Sequence, residues 1–242
     1  LENIALFILL AILAEVLGTI GGFGSSLFFI PIANYFLDFH SVLGITALFH
    51  VSSNLTKIYF FKQGVDKKIV LYLGVPAVLF VIIGAWTSKY IDTKWLEIGL
   101  SFFLISISLF FIVFKNIQFN ATKINTMGGG ILSGFVAGII GTGGAIRGMV
   151  LASYNLSIET FIATSALIDL FIDASRSIVY TYHGYVHLHD LYLIPILFVV
   201  SIIGTYIGKL ILNKISKEQF KTMVLTLVLL TGISSLFKFF ID

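Results

Sequence analysis

Apolar stretches separated by short polar joints recur along the entire chain. In the first half they lie near residues 3–20, 25–37, 41–61, 69–88 and 95–114, and in the second near 127–140, 145–156, 160–182, 191–209 and 221–240. Most are long enough to cross the roughly 30 Å hydrocarbon core of a bilayer as helices. The second segment of each half is too short and follows a glycine cluster, "GTIGGFGSS" at 18–26 and "GTGGAIRG" at 141–148. The pattern predicts an all-α polytopic membrane protein. Each half reads as a glycine-broken helical hairpin followed by three transmembrane helices.

The halves also match residue by residue. Gly18, Gly21 and Gly24 align with Gly138, Gly141 and Gly144 at an offset of 120. Past Pro31 the offset is 119, which pairs Asn54 with Asp173 and Lys57 with Arg176; beyond Gly64 it returns to 120 and pairs Gly84 with Gly204. The first repeat is expected over 1–120, with its hairpin at about 3–37 and spans at about 41–114. The second is expected over 121–242, with its hairpin at about 127–156 and spans at about 160–240. An odd number of segments per repeat makes the two run in opposite directions across the membrane, as inverted repeats.

Lysine placement agrees with that arrangement. If alternate connections share a face, one face collects Lys62, Lys67, Lys68, Lys115, Lys123, Lys209, Lys214, Lys217 and Lys221, and the other only Lys89, Lys94 and Lys238. The positive-inside rule then puts the first face in the cytoplasm and both termini outside, in an integral protein of the cell membrane. The opening "LENIALFILLAILAEVLG" lacks the basic flank of a signal peptide and is expected to be a retained span.

Composition sharpens the class. The 242 residues are 58% hydrophobic and 11% charged, against about 25% charged in a soluble domain. The absence of cysteine excludes disulfides, iron–sulfur sites and thiolate chemistry. No strand–loop–helix for nucleotides, nucleophile elbow or nucleic-acid surface is present, so the expected partners are the bilayer and a small solute, with no cofactor and no enzymatic activity.

Unwound backbone at membrane depth is tolerated only where protein or water covers it. Paired broken segments in two inverted halves point to a transporter's substrate site. A helix that starts at such a break turns unpaired N–H groups and a positive dipole end toward the cavity, which suits an anion. This reading places Gly21, Gly24, Ser25 and Ser26 on one tip and Gly141, Gly143, Gly144 and Arg147 on the other, with Asn54 nearby. The competing reading is that the glycines only allow close helix packing.

Two polar stripes accompany the tips. His50, Asn54 and Lys57 share one helix face at i, i+4, i+7, as do Asp169, Asp173 and Arg176 at the equivalent place in the second repeat. Thr46, Ser53, Ser165 and Ser175 broaden these faces. His50, Lys57, Asp169, Asp173 and Arg176 are the candidates for coupling or gating. The intramembrane charges Lys57, Arg147 and Arg176 balance Glu15, Asp169 and Asp173, so mutual pairing is the alternative. Lys57 and Arg176 are also close enough to segment ends to snorkel to water. The histidines of "HGYVHLHD" (183–190) do not follow a zinc-ligand spacing, and no metal is expected.

The stretch "GFGSSLFFIPIANY" resembles the opening motif of the TauE/SafE sulfite exporter family, and "GTGGAIRG" is similar to that family's second signature. The likeness covers essentially the whole chain. Ser25 and Ser26 stand where the family usually continues with glycine, and Val150-Leu151 replaces a proline expected after the second cluster. The resemblance implies export of a small sulfur anion such as sulfite, thiosulfate or an organosulfonate like sulfoacetate, by alternating access between the repeats. Its motif positions fall on Gly21, Gly24, Ser25, Ser26, Gly141, Gly143, Gly144 and Arg147. The alternatives are a proton- or cation-coupled permease using Asp169 and Asp173 and, more remotely, an intramembrane enzyme using His50 or the 183–190 histidines.

Overall fold

The structure is a computed structural model that describes residues 3–62, 64–114, 120–212, 214 and 217–241, with the side chains of the last helix described for 225–237. The described residues are helical, joined by short turns. The helices are α1 (Ile4–Gly21), α2 (Ser26–Ala33), α3 (Phe39–Phe60), α4 (Lys67–Ser88) and α5 (Thr93–Val113), then α6 (Lys123–Ile140), α7 (Gly144–Ala152), α8 (Ile158–Tyr182), α9 (Leu193–Leu212) and α10 (Lys217–Ile241).

Sequence explains the shape of individual helices. At 1.5 Å per residue, α2 and α7 measure only about 12 and 14 Å, half a crossing. Helices α1, α4, α5, α6 and α9 are apolar and long enough to cross. Helices α3 and α8, with 22 and 25 residues, are no shorter, but the polar stripes interrupt their hydropathy. Helix α4 contains a π turn over Val70–Gly74 just before Pro76. Pro76 has no N–H to close an ordinary turn, and widening the helix ahead of it absorbs the defect.

The main contacts run between the two halves of the chain, each helix of one half on a helix of the other. Helix α1 lies on α9 and α6 on α4, while α3 packs on α8 and α5 on α10. The contacts repeat at residue level: a Cβ on Gly84 would meet the Phe135 carbonyl oxygen at 2.3 Å, and one on Gly204 would meet Glu15 Cβ at 2.7 Å. Both members of these two pairs differ by the same 120 positions.

The α4–α6 seam depends on a glycine ridge. Cβ atoms added at Gly130, Gly134 and Gly138 would lie 2.4, 2.2 and 2.3 Å from the carbonyl oxygens of Leu73, Ala77 and Val81. The close-packing reading of small residues therefore holds along this helix. Gly134→Ala is expected to lower the melting temperature of the purified protein, at a cost of about 1–3 kcal/mol for overpacking. Gly128→Ala, on the same helix with nothing within 4 Å, is expected to leave it unchanged. Equal melting shifts for the two variants would contradict the seam.

The short helices are fixed by different means. Phe29 of α2 sits between Phe7 of α1 and Phe49 of α3, with ring centroids 5.9 and 4.8 Å away. In α7, Val150 presses onto the bare backbone of Gly129. Lysines mark one end of the bundle: Lys209 Nζ donates to the Phe60 carbonyl at 2.6 Å, and Lys123 lies 4.7 Å from the Tyr72 ring centre. Lys62, in the α3–α4 connection, and Lys67 and Lys68, in the first turn of α4, sit at that same end. Lys115 and the side chains of Lys217, Lys221 and Lys238 lie outside the described residues.

Candidate functional site

The two glycine clusters are the turning points of the α1–α2 and α6–α7 hairpins. Helix α1 ends at Gly22 with φ 66° and α6 at Gly141 with φ 83°, left-handed backbone that glycine adopts without strain. The tips touch: Ser26 Oγ lies 3.0 Å from Thr142 Oγ1, and a Cβ on Gly144 would fall 1.7 Å from the Phe23 carbonyl oxygen. Any residue but glycine at 144 would force the tips apart.

How these helices begin sets them apart. Helices α3, α4, α5, α6 and α8 each start on a side chain that accepts from their first turn, namely Asp38, Asp66, Asp92, Thr122 and Ser157. Among the described residues, helices α2 and α7 have no side-chain cap; α1 lacks one too, but it starts at the opposite end of its span from the tip. The first-turn N–H groups of a helix have no partner within it, and the dipole adds positive potential there. Two uncapped starts thus meet at one place.

The six intramembrane charges singled out in the sequence form three pairs. Lys57 Nζ lies 2.8 Å from Glu15, whose carboxylate also accepts from Ser25 and Ser53 at 2.6 Å and Thr205 at 3.0 Å. Ser25 has one proton and gives it to Glu15, so His50 Nε2, 3.0 Å from the same oxygen, is placed to donate to it. Arg176 binds Asp173 at 2.7 Å, and Asn54 donates to the other Asp173 oxygen at 2.8 Å. Arg176 also donates to the Gly141 carbonyl, and Tyr180 to that of Gly138 at 2.7 Å. One turn apart on α8, they close the carbonyl end of α6. Lys57 is 5% exposed and Arg176 1%, so the snorkelling expectation is corrected: both cations have acidic and carbonyl or hydroxyl partners closer than water.

Arg147 is different. Its Nη2 pairs with Asp169, while Nε and Nη1 have no hydrogen-bond partner among the described residues although the side chain is 5% exposed. It stands in the first turn of α7, on the wall of a cavity of about 20 Å³, room for one or two waters.

Of the expected site residues, Gly24, Ser25, Ser26, Asn54, Gly141, Gly143 and Arg147 line this cavity, together with His50, Lys57, Asp169, Asp173 and Arg176. Gly21 and Gly144 do not line it; Gly144 serves the tip-to-tip contact instead. The hydroxyls of Ser25 and Ser26 are engaged by Glu15 and Thr142 rather than left free. The sequence marks Glu15 as an intramembrane charge and a candidate proton carrier without placing it among the anion-binding residues, and it passes over Thr142 and Thr205. Only the charge of Glu15 is a signal; the two threonines carry none in sequence.

A bundle of apolar helices that brings two uncapped half-helices and a buried arginine to one cavity is an integral membrane protein of the transport class. The chain belongs to the TauE/SafE sulfite exporter family, whose model, described as sulfite exporter TauE/SafE, matches residues 7–235 of the 242 and so runs through both halves. Comparison with curated proteins and with solved structures gives no match.

Proposed function

We propose that the chain is a secondary transporter that exports a small sulfur-containing anion, binding it between Arg147 and the uncapped starts of α2 and α7. The observation that carries this reading is the pair of guanidinium nitrogens on a buried arginine that have no partner among the described residues. Such donors normally find partners, and an oxyanion supplies them, with bidentate geometry matched to guanidinium. Family membership supports a sulfur anion such as sulfite, thiosulfate or an organosulfonate.

In this arrangement the cavity is contracted, because Arg147 reaches across to Asp169. Sulfite is larger than the space left, so the anion enters as Arg147 turns from Asp169 or the tips part. Reciprocal packing of α1 on α9 and α6 on α4 supports two inverted repeats that rock about the tips and open the site to each side in turn. With the lysine end in the cytoplasm, both termini lie outside in the cell membrane. An inside-negative potential then drives export by about 2.3 kcal/mol per charge per 100 mV, without a coupling ion. Pairing of Asp169 with Arg147 and of Asp173 with Arg176 favours this over a permease that uses those carboxylates as its ion site.

The test is thermal stabilisation of the purified protein by sulfite, thiosulfate, sulfoacetate, taurine, sulfate and chloride. One or two sulfur anions are expected to raise the melting temperature, with a stabilisation of about 2.7 kcal/mol at a hundredfold excess over Kd. A panel with no shift, or a shift with chloride alone, would contradict the reading.

A further inference from the structure

Away from the cavity, the connection between α8 and α9 gathers histidines at the end of the bundle opposite the lysines. It contains a 3-10 turn over Leu188–Asp190, and it brings ligand atoms of His187, His189 and Asp190 within 4.8 Å of one another. His187 Nδ1 lies 3.7 Å from one Asp190 oxygen, and His189 Nε2 3.5 Å from the other. These separations are too long for hydrogen bonds.

Asp190 is the unusual member. It is 3% exposed, yet its Oδ2 has no hydrogen-bond partner among the described residues, and an unpartnered buried carboxylate oxygen is costly. A tetrahedral ion with bonds of about 2.0–2.2 Å needs ligand atoms about 3.3–3.6 Å apart. Each imidazole is already close to that from one Asp190 oxygen, Oδ2 for His187 and Oδ1 for His189, and with a single ligand atom from each residue the three lie within 4.8 Å of one another. The exposed His189 ring, already stacked parallel to His187 with centroids 5.3 Å apart, closes the remaining distance by a side-chain rotation.

We propose that His187, His189 and Asp190 form a binding site for a divalent transition-metal ion of the zinc type. Two imidazoles and one carboxylate suit zinc rather than magnesium or calcium, which take oxygen ligands. Asp38 Oδ2, 3.8 Å from His187 Nδ1, offers a further oxygen, and the Ser41 hydroxyl that now holds His187 at 2.6 Å gives way to the ion. Asp38 caps the first turn of α3, so the bound ion ties the α8–α9 connection to the start of α3. It thereby links the two helices that carry the polar stripes. The spacing H-x-H-D gives no hint of this in sequence, because the buried carboxylate and the α3 cap come from tertiary contacts.

Titration of tag-free purified protein with Zn²⁺, read by calorimetry and by melting temperature, tests the site. One equivalent is expected to bind and to raise the melting temperature, with no response to Mg²⁺. His189→Ala, at a largely exposed side chain that does not endanger folding, is expected to weaken Zn²⁺ binding at least about tenfold, and His187→Ala likewise. Absence of saturable binding to the native chain would overturn the site. So would unchanged binding in the His187→Ala/His189→Ala double variant.

Discussion

Replacing Arg147 with alanine is expected to abolish both the anion-induced rise in melting temperature and transport in vesicles. Two separate consequences follow from the geometry. The anion loses the two guanidinium nitrogens that have no other partner among the described residues, and Asp169 is left buried without its cation. Removing one partner of a buried ion pair costs about 3–5 kcal/mol, so the single variant is also expected to be less stable. Arg147→Ala/Asp169→Asn removes both charges together and is expected to recover most of the stability while remaining blind to every sulfur anion. Asp169→Asn alone runs the other way: it frees the guanidinium and is expected to tighten anion binding. Arg147→Lys keeps the charge without the planar fork and is expected to bind weakly. A stable double variant that still shifts with a sulfur anion would remove Arg147 from the site.

The second large effect is expected at Glu15. Its carboxylate is fully buried and holds Lys57, Ser25, Ser53 and Thr205 together across α1, α3, α9 and the first hairpin tip. Glu15→Ala leaves Lys57 uncompensated and lets Ser25 swing free. A loss of about 3–5 kcal/mol is expected, which corresponds to a fall in melting temperature of roughly 6 °C or more for a chain of this size. Glu15→Gln/Lys57→Met removes both charges with little change of volume and is expected to restore much of that loss. Because Ser25 is no longer oriented, the rescued protein is still expected to bind anion more weakly than the native chain. A Glu15→Ala protein that melts with the native one would refute the central place given to this carboxylate.

Much of the site is legible in the amino-acid sequence. Glycine breaks at equivalent places predict two hairpins, and the chain folds residues 4–33 and 123–152 in that way. The i, i+4, i+7 stripes do reach one cavity, because a helix fixes which residues share a face. The zero sum of intramembrane charges shows that pairing is possible but not who pairs with whom. Lys57 finds Glu15 on another helix, whereas Arg176 finds Asp173 three residues away on its own. Both choices depend on helix rotation and depth, which hydropathy does not encode. Packing and site-forming roles of glycine are rivals in the sequence. The structure divides them by position, with Gly134 and Gly138 in a seam and Gly141 and Gly143 at the cavity.

The sequence by itself determined that this chain lives in a bilayer, where it breaks its helices, and which helix faces are polar. Those properties follow from local composition and from the period of the helix. Only the tertiary structure decided that Arg147 keeps two donors unmatched among the described residues while Lys57 and Arg176 are engaged by acids, and that Asp190 is buried beside two histidines. Such outcomes depend on distances between segments remote in sequence, and burial makes each of them energetically consequential.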